Sequence, residues 1–308
     1  MEKGFFISVR LMVLKWKKER TGCEKKVDNP AFGRSKTAAK KGKILKNGGK
    51  GFRILKKETG GGKLLWILSE KLCNFKSYVK ILPMESMLKK YGVCLSAEKE
   101  ELLERFLAFL SQENEKYNLT AVTDREEVYC KHFADSLLVV DKLKSGTLLD
   151  VGSGGGMPAI PLAVAREDIS FTLLEATGKK CEFLKQAISL LGLKNAAVVN
   201  GRAEELAKGE MREKFDTVTA RAVARLNTLS EYCLPFVKVG GTFVAYKGNA
   251  EEEIKEAERA VSLLGGRLKE SCAFSLGGAK RTVLFIGKER PTPAQYPRGR
   301  GKERKNPL

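Results

Sequence analysis

The chain of 308 residues holds a single histidine, His132, so a histidine-dependent catalytic triad has one possible base, and no Gly-x-Ser-x-Gly elbow accompanies it. Seven cysteines are present, an odd number, and none forms a Cys-x-x-Cys pair or a Cys/His cluster at zinc spacing. No metal site is therefore expected, and the thiols read as the reduced cysteines of a cytoplasmic protein. Long apolar runs are also missing. Phe5 to Leu14 is broken by Arg10, and Leu64-Leu65-Trp66-Ile67-Leu68 is too short to span a bilayer. No small-residue cleavage site follows the basic N-terminus, which argues against a secretory signal.

Acidic residues are scarce at the two ends. Residues 1–83 carry 22 Lys and Arg against 6 Asp and Glu, and residues 288–308 carry 7 against 2. Residues 84–287 are close to neutral, with 28 against 29. A near-neutral body between basic ends favours a polyanionic partner through phosphate contacts and counterion release.

Residues 1–62 are rich in Lys and Gly without sustained periodicity, which reads as a flexible arm. Residues 63–83 are more apolar and predict a short helix. Residues 1–83 together read as a basic arm or as an extension ahead of a start at Met84 or Met87. From Ser96, a plausible N-cap, Leu102, Leu103, Phe106, Leu107 and Leu110 recur at helical spacing. A second helix is expected over about Arg125–Leu143, so residues 84–145 form a helical cap.

Strand and helix then alternate over residues 146–290: strands at Thr147–Val151, Ser170–Leu174, Ala196–Val199, Phe215–Ala220 and Gly241–Tyr246. Helices are expected at Ile160–Ala165, Lys179–Leu191, Ala203–Ala207, Leu226–Val237 and Ala250–Leu264. Two late strands, Arg267–Ala273 and Arg281–Ile286, have no helix between them. This order implies an α/β fold with a mostly parallel, doubly wound sheet and an antiparallel edge. Residues 291–308 form a basic tail.

The first strand runs into Asp150-Val151-Gly152-Ser153-Gly154-Gly155-Gly156. Glycines there let the backbone turn sharply and approach a ligand at the carboxyl end of the sheet. Glu175 ends the second strand, where a carboxylate accepts both hydroxyls of a ribose. The frame Asp-x-Gly-x-Gly-x-Gly suits S-adenosylmethionine, which has no phosphate to cradle and whose ammonium an acid tolerates. A dinucleotide frame fails from Gly152, because Met157 stands where a third glycine belongs, but the looser Gly154-x-Gly156-x-x-Ala159 fits. An NAD(P)-dependent oxidoreductase therefore remains an alternative, and so does a non-catalytic RNA-binding protein of the same fold. After the third strand, the amide of Ala203 or Glu204 is placed to read an adenine edge.

At the fourth strand's exit, Thr219-Ala220-Arg221-Ala222 carries no Asn/Asp-Pro-Pro-Tyr/Phe motif, and the chain has no Pro-Cys dipeptide. Methylation at a base N6 or pyrimidine C5 is disfavoured by those absences. Guanine N7 fits them, since its lone pair carries no proton and needs alignment more than a general base. Arg221 suits either guanine O6 or the methionine carboxylate of the cofactor.

Together, Asn118-Leu119-Thr120-Ala121, His132-Phe133-Ala134-Asp135-Ser136-Leu137, Asp150–Pro161, Gly201-Arg202-Ala203-Glu204-Glu205, Val218–Ala224, Tyr296-Pro297-Arg298 and Lys305-Asn306-Pro307-Leu308 resemble the bacterial 16S rRNA (guanine-N7) methyltransferase G family. The resemblance covers about Met87 to Leu308. It departs at Met157 and Ala159, where the family usually has Phe and Gly. It implies a class I S-adenosylmethionine-dependent methyltransferase fold with an N-terminal helical extension, acting as a monomer on 16S rRNA of the small ribosomal subunit. It implies cofactor contacts at Gly152, Met157, Glu175, Ala176, Thr177, Ala203, Glu204 and Arg221, to which the glycine frame itself adds Gly154 and Gly156. His132 and Asp135, three apart on one helical face, either line the RNA pocket beside Arg221 or anchor the cap to the sheet, and the anchor is favoured. Arg298, Arg300, Lys302, Arg304 and Lys305 are expected on RNA phosphates, where they position the substrate without specifying it.

Overall fold

The computed structural model describes residues 54–59, 63–68 and 88–308. The chain divides into two units, Met1–Ser77 and Tyr78–Leu308. In the first, β1 (Ile54–Thr59) pairs antiparallel with β2 (Lys63–Leu68). This corrects the expected helix over 63–83 at residues 63–68 and the expected flexible arm over 1–62 at residues 54–59. The overlooked signal is three glycines between two short runs, the second of them apolar and aromatic, which is a hairpin pattern. The remainder of that helix assignment, and residues 1–53, lie outside the described residues.

The second unit is a seven-stranded sheet. Its strands are β3 (Gly146–Val151), β4 (Ile169–Glu175), β5 (Ala196–Asn200), β6 (Phe215–Arg221), β7 (Val237–Lys247), β8 (Gly266–Leu276) and β9 (Ala279–Lys288). They lie in the order β5-β4-β3-β6-β7-β9-β8. Pairings from β5 through β7 are parallel, and β9 is antiparallel to both β7 and β8. The chain winds outward from β3 in one direction and then returns to its other side at β6. That reversal leaves a crevice at the carboxyl ends of β3 and β6, where open parallel sheets bind ligands.

Both faces of the sheet are covered, so the central strands are apolar on both sides. Leu148, Val244 and Tyr246 join one core, while their neighbours Leu149, Phe243 and Ala245 join the other. This is the two-residue period of strand side chains. On the first face lie α1 (Ala97–Tyr117), α2 (Arg125–Leu137), α3 (Ala159–Ala165) and α4 (Gly178–Leu191); α6 (Leu226–Cys233) and α7 (Glu251–Leu263) cover the second. The short α5 (Ala203–Leu206) and α8 (Lys302–Lys305) sit at loop exits.

Ser96 caps α1 as expected, accepting from the Lys99 amide. Phe109 of α1 stacks on Phe183 of α4 at 5.3 Å, and Phe106 on Phe133 of α2 at 6.0 Å. Burying side chains of this size contributes roughly 1.5–3 kcal/mol each. The α2 helix is not regular: Tyr129–Ala134 forms a wider π-helical turn, and Val140–Lys142 is a separate 3₁₀ turn. The expected helix to Leu143 is therefore shorter. Likewise α6 stops at Cys233. Leu234–Phe236, containing Pro235, forms a 3₁₀ turn, and the chain is already in β7 at Val237.

Candidate active site

The crevice is built from strand ends. A cavity of about 320 Å³ is lined by Gly152 after β3, Glu175 and Ala176 after β4, and Ala203 and Glu204 at the start of α5. Gly152 has φ +74°, and a Cβ there would come within 2.8 Å of Val223 Cγ2 on the exit of β6. The β3 and β6 exits are that close only because residue 152 is glycine. Gly155 fits against the chain leading to α2: a Cβ would lie 3.2 Å from the Leu119 carbonyl oxygen. That contact explains why the Asn118–Ala121 motif accompanies the glycine loop.

Glu175 is buried and ties the loop together. One carboxylate oxygen accepts from the Gly154 amide at 3.0 Å, the other from the Thr177 amide at 2.9 Å. Each oxygen keeps a lone pair for a further donor, such as a ribose hydroxyl. Gly154 and Thr177 thus serve by holding Glu175. Gly156 and Met157 are turned elsewhere: a Cβ on Gly156 would strike Ile160 and Phe106, and Met157 is packed in the core.

Asp150 is completely buried. Its Oδ1 accepts from Thr219 Oγ1 at 2.7 Å, whereas its Oδ2 has no hydrogen-bond partner. Burial raises its pKa to about 6, against the lowering effect of the Thr219 and Ser153 hydroxyls and, after them, the nearby Arg221 charge. The Asp150 carboxylate is 1% exposed and does not itself line the cavity, so it bears on a ligand there as a buried charge beneath the glycine loop. Glu175, Asp150 and the glycine loop thus suit a nucleoside bearing an ammonium.

Arg221, at the end of β6, does not line this cavity. Its Nη1 donates to Asp135 Oδ2 at 2.8 Å and to the Lys131 carbonyl at 2.9 Å, and its Nη2 lies 3.3 Å from His132 Nδ1. The π-helical turn helps to arrange this. The Asp135 amide bonds to the carbonyls of Cys130 and His132, while the Lys131 carbonyl receives Arg221. Arg281 of β9 reaches the other Asp135 oxygen at 3.2 Å. Sequence reasoning missed Arg281, since a lone arginine on an edge strand has no local signature.

A guanidinium can only donate, so His132 Nδ1 must accept and its Nε2–H must donate to Thr120 Oγ1, 2.7 Å away. Thr120 is fixed in turn by Asn114, which bonds both its amide and its carbonyl. Burial, followed by the Arg221 charge, lowers the His132 pKa to about 4. The imidazole is neutral at physiological pH with both nitrogens engaged. Structurally, His132 and Asp135 join α2 to β6.

The C-terminal residues divide. Arg298 bonds through its amide, Nε and Nη2 to the fully buried Glu231 of α6, so its charge is internally matched. Arg304 and Gly301 line the 320 Å³ cavity, with Arg304 beside Tyr232. Arg300, Lys302 and Lys305 are exposed. No helix among the described residues is long and apolar enough to cross a membrane.

A family model described as rRNA small subunit methyltransferase G matches residues 99–283. The chain is also similar to proteins named Ribosomal RNA small subunit methyltransferase G. The one from Lachnoclostridium phytofermentans is 46% identical over 72% of this chain and 94% of its own. Those from Bacillus cereus and Leuconostoc citreum are 44% and 41% identical, covering 75% and 72% of this chain and 99% and 97% of theirs.

Proposed function

The chain belongs to the rRNA small subunit methyltransferase G family, and we propose that it transfers a methyl group from S-adenosylmethionine to N7 of a guanine in small-subunit (16S) rRNA. S-adenosylmethionine supplies an electrophilic methyl on a sulfonium. The residues fit it: Glu175 for the ribose hydroxyls, the amide of Ala203 or Glu204 for the adenine edge, and Asp150 for the ammonium.

The guanine N7 assignment is carried by His132. It is the chain's single histidine, and both of its nitrogens are occupied by Arg221 and Thr120. With its imidazole engaged on both sides, the chain has no free histidine to act as a base, which suits a nucleophile with no proton to lose. What the protein must then supply is alignment, which lowers barriers by about 7–11 kcal/mol. Arg221, fixed by three acceptors at the end of β6, is the positioned donor for guanine O6 or for the methionine carboxylate. Arg300, Lys302, Arg304 and Lys305 serve the RNA backbone, and Arg298 supports them through Glu231. The protein acts as a cytoplasmic monomer on the small subunit.

The test is incorporation of labelled methyl into rRNA, followed by digestion to nucleosides. Label running as 7-methylguanosine supports the proposal. Label in N6-methyladenosine or 5-methylcytidine refutes the N7 assignment while leaving the cofactor site standing.

A further inference from the structure

A second cavity, of about 470 Å³, lies beside the first and shares Arg202, Glu204 and Gly301 with it. Arg202, Lys208, Arg298 and Arg300 bring four cations to its wall, and Glu204 and Glu205 bring two carboxylates. Two of the cations are accounted for. Arg298 is matched by Glu231, and Arg202 lies 3.7 Å from Glu204. Lys208 Nζ meets only a carbonyl, that of Arg298 at 3.4 Å, and no carboxylate pairs with Arg300 among the described residues.

Arg300 is also held in a costly backbone conformation. Its φ is +58°, between Gly299 at +78° and Gly301 at +74°. A left-handed conformation at a non-glycine residue is unfavourable and persists where the surroundings enforce it. Here they do: Glu231 fixes Arg298, and the buried carboxylate of Glu303 accepts the Gly299 amide. The turn thus holds Arg300 on a fixed base in the wall that Lys208 also lines.

S-adenosylmethionine carries no phosphate, and its one anionic group, the methionine carboxylate, is the partner assigned to Arg221. An RNA strand that brings one base to the methyl donor carries phosphodiesters on either side of it. We infer that the second cavity is a phosphate subsite for the RNA strand flanking the target nucleotide, with Arg300 and Lys208 as its ligands. The inference rests on the rRNA reading above. The wall shared with the cofactor cleft places this phosphate next to the bound nucleoside, and so sets the strand's register against the methyl donor.

The test measures binding of unmodified small-subunit rRNA against salt concentration, with S-adenosylhomocysteine present, for wild type, Arg300→Ala, Arg300→Lys and Lys208→Ala. Lys194→Ala, at the amino end of β5 and away from the ligand face, is the control. Each phosphate contact contributes about 0.7–0.9 to the slope of log affinity against log salt. Arg300→Ala and Lys208→Ala should each flatten the slope by about that amount, with Arg300→Lys close to wild type and Lys194→Ala unchanged. S-adenosylhomocysteine affinity without RNA should be the same in Arg300→Ala as in wild type, which separates a lost phosphate contact from a damaged fold. Wild-type slopes in both alanine variants overturn the subsite while leaving the rRNA reading intact. Failure of the wild-type chain to bind rRNA removes that reading and the subsite with it.

Discussion

His132 accepts a hydrogen bond from Arg221 across 3.3 Å, and that one contact fixes the tautomer of the chain's single imidazole. It joins the helical cap to the end of β6, and it leaves the imidazole nothing to do as a base.

The depressed pKa of His132 makes folding stability depend on pH. Its folded pKa of about 4 lies below the 6.5 of a free histidine, so the unfolded chain binds a proton that the folded chain refuses. The stability this group contributes is complete above pH 6.5 and is lost as pH falls toward 4. Urea denaturation at pH 7 and pH 5 should show a smaller loss for His132→Gln than for wild type. Equal losses would mean that the imidazole is solvated in the folded protein.

Asp150 gives a second pH dependence of opposite origin. Its folded pKa of about 6 lies above the ordinary 3.8, so its ionised form is disfavoured by roughly 3 kcal/mol at neutral pH. Its contribution to stability is present at low pH and is lost as pH rises through about 6. An ammonium bound beside it favours ionisation. S-adenosylhomocysteine should therefore bind more weakly at pH 5.5 than at 7.5, with proton release seen by calorimetry in two buffers, and Asp150→Asn should abolish both effects.

Asp135 carries two arginines, Arg221 at 2.8 Å and Arg281 at 3.2 Å, on a carboxylate only 7% exposed. Removing one partner of a fully buried pair costs about 3–5 kcal/mol. Both guanidiniums keep some water here, so Asp135→Asn should cost about 2 kcal/mol by denaturation. If Arg221 positions the reactants, the turnover rate should fall well beyond any change in S-adenosylhomocysteine affinity. Arg281→Ala should do the same more weakly, because it acts through Asp135.

Glu231 is fully buried beneath Arg298. Glu231→Gln should lower stability by about 3 kcal/mol and expose the segment after Tyr296 to proteolysis. An unchanged cleavage pattern would show that the C-terminal segment is held by its other contacts, such as the Thr228 hydroxyl donating to the Glu303 carbonyl.

The strands, the glycine loop and Glu175 were legible because their signals are local: apolar runs of strand length, and a frame of glycines that needs few neighbours to interpret. Ala203 and Glu204 followed from their place after the third strand. The Arg221 cluster was half legible. His132 and Asp135 stand three apart on one helix, but Arg281, 146 positions beyond Asp135, joins them only through the sheet. Tyr232 and Arg304 reach the cavity at the strand ends in the same way, by folding of distant segments. Arg298 was read as an RNA contact because a basic tail looks uniform in sequence, and only the buried Glu231 separates it from Arg300. The π-helical turn has no signal of its own, since its residues read as ordinary helix.

The proposed reaction is methyl transfer to one guanine N7 from the cleft at Gly152, Gly154 and Glu175. The most direct measurement incubates unmodified small ribosomal subunits with labelled S-adenosylmethionine and maps N7-methylguanine by strand cleavage, for wild type and Gly154→Arg. Gly154 has φ +53°, and its amide holds Glu175, so arginine there should disable the cofactor cleft. The expected result is cleavage at a single guanine with wild type and none with the variant. Methylation that survives in Gly154→Arg, or label in rRNA at a position other than N7, would contradict it.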